Sequence, residues 1–161
     1  MSASSDGLRT GSTFEIRLPL VDRGHEPAVE LAQSKVPARR ILVVDDNKDA
    51  ANSLAMILTL EGHQVESVYT AHEALARVLS FKPEVALLDI GLPEMNGYEL
   101  ARRLRDQPEA REIRLVALTG YGQAEDKERA WAAGFDDHLA KPADLRALQR
   151  TLAATSAKNS R

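Results

Sequence analysis

Between Arg39 and Thr155 the hydrophobic period switches back and forth between that of a strand and that of a helix. Ile41-Leu-Val-Val44 is a continuous apolar run, three of its four residues β-branched, which marks a strand covered on both faces. Ala51, Leu54, Ile57 and Leu58 then recur at helical spacing until Gly62. Val65 and Val68 fall in a second strand, and Ala71, Ala74, Leu75, Val78 and Leu79 form the next helical stripe. Val85–Asp89 is a third strand, and Tyr98, Ala101, Leu104 and Arg105 mark a third helix. Ile113–Leu118 is a fourth strand, residues 123–133 form a helix stopped by Gly134, and Asp137–Ala140 is a short fifth strand. Leu145, Leu148 and Leu152 supply the buried seam of the last helix. Strands and helices in strict alternation require a parallel sheet with helices on both faces. Right-handed crossovers leave few topologies open.

The remaining segments differ. Ser12–Pro19 alternates Phe14, Ile16 and Leu18 with polar residues, as a half-buried strand does. A lone strand cannot bury its face, so this one is expected to be disordered or to join an exposed sheet edge. Residues 21–38 mix charges with Pro27 and Pro37 and read as a linker, and 156–161 read as a polar tail.

Composition removes several function classes. The chain has 161 residues with 21 Lys+Arg against 24 Asp+Glu, a net charge of −3, which gives no basic footprint for nucleic acid or anionic membrane. Without cysteine there is no disulfide, thiol nucleophile or thiolate-bound zinc. No apolar run approaches the roughly 20 residues that span a bilayer. The N-terminus lacks a basic region followed by an apolar core, so a cytoplasmic location is the expectation.

In open α/β sheets, ligands bind beyond the carboxyl ends of the strands. Those ends hold Asp45-Asp46, Asp89, Thr119 and Lys141-Pro142. Taken singly, each has an ordinary explanation. Asp45 and Asp46 can cap a helix, Asp89 and Thr119 can end a strand in a turn, and Lys141 can be a solvated charge. Taken together they do not: three carboxylates on one edge repel unless a cation joins them. An oxygen-only donor set suits Mg²⁺, which takes one or two carboxylates, waters and substrate phosphate. Carboxylate-bound metal beside a lysine and a hydroxyl is the equipment of phosphoryl transfer. A carboxylate such as Asp89 attacks phosphorus without a general base, and aspartyl phosphates are established intermediates. Gly91 and Gly120 leave room for the transferred group.

The motifs ILVVDDN, ALLDIGLPEMNGYEL, LVALTGY and HLAKP, in this order, resemble the receiver domain of two-component response regulators over residues 39–155. The resemblance implies a flavodoxin-like (βα)5 three-layer sandwich with a parallel sheet in the order 2-1-3-4-5. It implies Asp89 as phosphoacceptor, with Mg²⁺ held by Asp46, by Asp45 partly through water, and by the Gly91 carbonyl. Thr119 and Lys141 would contact the phosphoryl group, and the Lys141-Pro142 bond would be cis. A histidine kinase, in cis or in trans, or a histidine phosphotransfer protein would be the partner. Nucleic acid would not be bound directly.

His138 stands where such domains carry the Tyr or Phe of a conformational switch, and Tyr121 is a second candidate for that role. Asn96 replaces the more usual Asp and can equally cap a helix. GLRTGSTFEIRLPL at the N-terminal end is similar to the last strand of a histidine-kinase ATP-binding domain. The expectation is therefore the C-terminal receiver of a hybrid sensor kinase. The ATP-binding boxes are absent, so this sequence is not itself a kinase. A stand-alone regulator is the alternative. A phosphatase of the haloacid-dehalogenase type is disfavoured because it needs a second Asp where Gly91 stands.

Overall fold

The computed structural model describes residues 2–4, 13–15, 37–120 and 126–154, and the chain divides into two units, Met1–Ser34 and Lys35–Arg161. In the first unit β1 (Ser2–Ser4) and β2 (Thr13–Glu15) pair antiparallel, with Ala3 opposite Phe14. The Phe14 strand therefore neither stays single nor extends an existing edge: it has a local partner that Ser-Ala-Ser does not advertise. Ile16 and Leu18 lie outside the described residues.

The second unit contains β3 (Arg40–Val44), α1 (Lys48–Leu60), β4 (Gln64–Val68), α2 (Ala71–Phe81), β5 (Val85–Asp89), α3 (Gly97–Asp106), β6 (Arg114–Thr119), α4 (Asp126–Ala132), β7 (Asp137–Ala140) and α5 (Leu145–Ala154). A single 3₁₀ turn, Pro108–Ala110, links α3 to β6. The five strands are parallel in the order β4-β3-β5-β6-β7, which is 2-1-3-4-5 counted within the unit. The chain leaves β3 for one edge and then crosses back over it to β5. Strand order thus reverses between β3 and β5, where a crevice forms at the carboxyl ends.

The continuous apolar runs are explained by burial on both faces. Ile41, Val43, Val85, Leu87, Val116 and Leu118 pack on one side with Ala51 and Leu58 of α1 and Leu148 and Leu152 of α5. Leu42, Val44, Ala86, Leu88, Leu115 and Ala117 face the other side with α2, α3 and α4. Every residue of β5 is buried, Asp89 included. Each fully buried Leu, Ile or Val contributes roughly 1.5–3 kcal/mol relative to exposure. Three residues assigned to buried stripes point outward instead: Ile57, Leu79 and Leu145 are 43%, 47% and 40% exposed. Helical periodicity locates the centre of an apolar face but not its margin.

Two local devices set the position of β5 relative to α3. Asn96 caps α3, its side chain accepting from the Glu99 N–H at 3.0 Å. Gly97 then lies against the end of β5: a Cβ there would be 2.4 Å from the Asp89 carbonyl oxygen and 2.8 Å from Ile90 Cα. Farther along, Arg105 ties three segments together. Its guanidinium donates to the carbonyls of Gly134 and Ile113 at 2.9 and 2.7 Å and to Asp136 Oδ2 at 2.6 Å.

Gly97→Ala should lower the urea midpoint by the equivalent of about 2–3 kcal/mol, because a methyl group meets backbone that has nowhere to move. An unchanged midpoint would show that α3 shifts freely against β5.

Candidate functional site

The site is assembled by register. Val44 is level with Leu88, Asp89 with Leu118, and Thr119 with Ala140. The residues at these strand ends, Asp45, Asp89, Thr119 and Lys141, consequently share one edge. The N-cap of α1 is Asn47, whose side chain accepts from the N–H groups of Asp49 and Ala50 at 3.1 Å each. Neither Asp45 nor Asp46 caps the helix, which leaves both carboxylates for other work. Sequence reasoning passed over Asn47, although an Asn directly before a helical stripe is a cap signal. The Asn47 N–H also donates to Asp45 Oδ1 at 3.0 Å, so the residue orients one of the acids as well.

Lys141 lies between two carboxylates. Its ammonium donates to Asp45 Oδ2 at 2.6 Å and lies 3.0 Å from Asp89 Oδ1. Asp45 is only 2% exposed, Asp89 is buried and Asp46 is exposed. Desolvation opposes the charge on Lys141, but the hydrogen bonds to Asp45 and Asp89 and the nearby negative charges outweigh it. They hold the ammonium above the ordinary lysine range, so it is charged at neutral pH.

The Gly91 N–H donates to Asp89 Oδ1 at 3.1 Å. That oxygen is engaged twice, and Oδ2 is left facing the space that a Gly91 side chain would border at 3.5 Å. Among the described residues, nothing lies within 4 Å of where a Gly120 Cβ would be. Thr119 is buried, its hydroxyl making a long 3.4 Å contact with the Leu139 carbonyl. The Lys141 N–H donates to the Thr119 carbonyl at 2.7 Å, and Lys141-Pro142 is cis.

Asp45, Asp46 and Asp89 each present an oxygen within 4.8 Å of the others, a spacing one cation can span. The donor set is oxygen only and partly open to solvent, which fits a hard divalent ion that retains waters. His138 is half-buried on β7, level with Ala117 of β6, on the strand face opposite Leu139. Tyr121 lies outside the described residues. No described helix is long and apolar enough to cross a membrane.

A doubly wound sheet with three acids and a lysine at its switch point defines a phosphoacceptor class of α/β domain. The model of the response regulator receiver domain matches residues 41–153, and the chain belongs to that family. It is 36% identical over 121 residues to the two-component response regulator PhoP of Pseudomonas aeruginosa, covering 75% of this chain and 53% of the relative. It is 32% identical to the virulence sensor protein BvgS of Bordetella bronchiseptica, over 96% of this chain and 13% of the relative. Among solved structures, the receiver domain of a signal transduction histidine kinase from Syntrophus aciditrophicus aligns with a TM-score of 0.69 and 32% identity. That alignment covers 77% of this chain and 94% of the other. The chain thus spans only part of the longer curated proteins it matches. Receiver domains accept phosphoryl groups, bind Mg²⁺ at such an acidic pocket, and meet histidine kinases or phosphotransfer proteins.

Lys141→Met should lower the melting temperature without divalent ions, because Asp45 and Asp89 lose the cation between them. Millimolar Mg²⁺ should then raise it by more than in the wild type. Equal Mg²⁺ shifts in both proteins would show that lysine and metal do not share these carboxylates.

Proposed function

We propose that this chain is a phosphorelay receiver in which Asp89 takes a phosphoryl group from a phosphohistidine. The observation that carries this reading is the Lys141 ammonium between Asp45 and Asp89, with Asp46 beside them. Asp89 Oδ1 is engaged by Lys141 and the Gly91 N–H, so Oδ2 is the attacking atom. It forms a bond to phosphorus as the P–N bond to the donor imidazole breaks, and the imidazole keeps the electron pair. Asp45, Asp46, Asp89 and the Gly91 carbonyl would hold Mg²⁺, which supplies positive charge to the oxygens of the group in transfer. Lys141 adds a second positive charge, and Thr119 donates its hydroxyl to a phosphoryl oxygen. Release of Thr119 from its long contact with Leu139 gives His138, on the neighbouring strand, room to change rotamer; this is the switch role we assign to it.

The partner is a histidine kinase or a histidine phosphotransfer protein. α1 starts at the site and carries no charge from Ala50 to Leu60, yet Met56 and Leu60 are 66% and 78% exposed. An apolar, uncharged stripe of this kind suits a helical partner that bears the phosphohistidine. The alignment with a sensor protein over 96% of the chain reaches beyond the receiver into residues 1–38. It supports the reading of residues 1–20 as the end of a kinase ATP-binding domain, 21–38 as a linker, 39–155 as the receiver and 156–161 as a tail. The parent would then be a hybrid sensor kinase acting in the cytoplasm.

One phosphotransfer assay tests these roles. With Mg²⁺ and a phosphorylated kinase, the wild type should take up label and Asp89→Asn should not. Met56→Glu/Leu60→Glu should slow transfer from the kinase at least tenfold while leaving labelling by a small phosphodonor unchanged. His138→Ala should label normally but lose phosphorylation-dependent binding to its partner. Mg²⁺-dependent label on Asp89→Asn would overturn the central assignment. Equal slowing with both donors would remove α1 from docking, and loss of labelling in His138→Ala would place His138 in the chemistry.

A further inference from the structure

A second polar cluster closes the opposite, amino-terminal end of the sheet. His63 follows Gly62 in the turn between α1 and β4 and is only 7% exposed. Its Nδ1 accepts the backbone N–H of Arg39 at 3.3 Å. That bond requires a lone pair on Nδ1, so the ring is the neutral, Nε2-protonated tautomer. Arg39 is itself 5% exposed, and its guanidinium donates to Glu84 Oε2 at 3.1 Å. The Arg39 carbonyl accepts from the Gln64 N–H at 2.8 Å, and the Arg40 carbonyl from the Glu84 N–H at 2.8 Å. Arg40 Nε reaches the Lys82 carbonyl at 2.8 Å. The first residues of β3, β4 and β5 are thus fastened to one another through His63, Arg39 and Glu84.

We infer that this cluster is an acid-sensitive latch, in which protonation of His63 releases the start of β3 from the start of β4. A proton on Nδ1 replaces an acceptor with a donor, and two donors, the ring N–H and the Arg39 N–H, then face each other. It also places a second cation in a buried cluster that already holds the Arg39 guanidinium. The charged groups around the ring are Arg39 just before β3, Glu61 at the end of α1 and Glu84 before β5. Burial first, and Arg39 second, push His63 below the ordinary histidine range, against the opposing pull of Glu61 and Glu84. Glu61 is shared with Gln149 of α5 at 2.9 Å, and Glu84 with Arg39, so neither carboxylate is committed to the ring. Protons have a route in. Arg39, Gly62, His63, Gln64 and Glu84 line an open cleft of about 520 Å³, far larger than the roughly 30 Å³ share of one water.

The direction of the effect follows from linkage. The unfolded chain takes up the His63 proton near the ordinary histidine pKa of about 6.5, before the folded chain does. Between that pH and the lower folded value, the unfolded state binds one more proton, so stability falls as pH falls. The stability that the latch contributes is whole above about pH 6.5 and declines below it. In the folded chain the ring is protonated, and the latch opens, only below the lowered folded value. β3 is also the strand that ends at Asp45-Asp46, so latch and acidic site are the two ends of one strand.

Urea unfolding of the full 161-residue chain between pH 8 and 5 tests this, with His63→Asn as comparator. The Asn amide oxygen can accept from the Arg39 N–H and does not titrate. Below about pH 6.5 the wild-type unfolding constant should rise by up to tenfold per pH unit more than that of His63→Asn. The protection factor of the Arg39 amide, its exchange taken relative to the intrinsic rate at each pH, should fall over the same range. Parallel pH dependence in the two proteins would overturn the latch. If His63→Asn does not fold, the ring of His63 in the wild type decides by NMR: titration at or above the ordinary histidine range contradicts the proposal, and titration below it, accompanied by a shift of the Arg39 amide, supports it.

Discussion

One ammonium between two carboxylates organises the working edge of this domain. Lys141 comes from the last strand-to-helix connection, Asp45 from the first and Asp89 from the centre of the sheet. Their contacts at 2.6 and 3.0 Å exist only if three strands end level with one another. A shift of one residue in any of these strands would carry its group away from the other two. The five-stranded register is therefore the precondition of the site, and the two apolar layers that fix the register act on the chemistry through it. A buried ion pair of this kind adds little net stability, because desolvation offsets much of the attraction. Its contribution is to keep acids close together that would otherwise repel, in an arrangement where a second cation and a phosphoryl group can be received.

Much of this was legible in the sequence, for a physical reason. Strands buried on both faces must be apolar without interruption, so Ile41–Val44 and Val85–Leu88 announce themselves. A charged residue that ends such a run stands out, and the rule that α/β ligands gather at carboxyl ends then selects Asp45, Asp46, Asp89, Thr119 and Lys141. Where the reading failed, the deciding contacts are distant in sequence or depend on three-dimensional margins. Ile57, Leu79 and Leu145 fit a helical period but sit at the edges of their stripes. Asp45, Asp46 and Asn47 are three consecutive cap-competent residues, and only the direction in which the chain leaves β3 makes Asn47 the cap. The reason for Gly97 is the approach of α3 to the Asp89 carbonyl, which no local pattern announces. The partnership of Arg105 with Asp136 spans 31 residues and has no local signal.

The two ends of the sheet divide the labour. The carboxyl end collects unlike charges around an open space, which suits an incoming anion and a metal. The amino-terminal end links Arg39 and His63, both buried, with the half-buried Glu84 through hydrogen bonds. The first arrangement is open to ligand, and the second holds strands together.

The central claim is that the phosphoryl group rests on the Asp89 carboxylate. Reduction of the phosphorylated chain with borohydride converts an aspartyl phosphate to homoserine, and peptide mass spectrometry then locates it. The account predicts homoserine at position 89, dependent on Mg²⁺ and on the phosphodonor. Homoserine at Asp45 or Asp46, or phosphate that resists borohydride and maps to a serine, threonine or histidine, would contradict it.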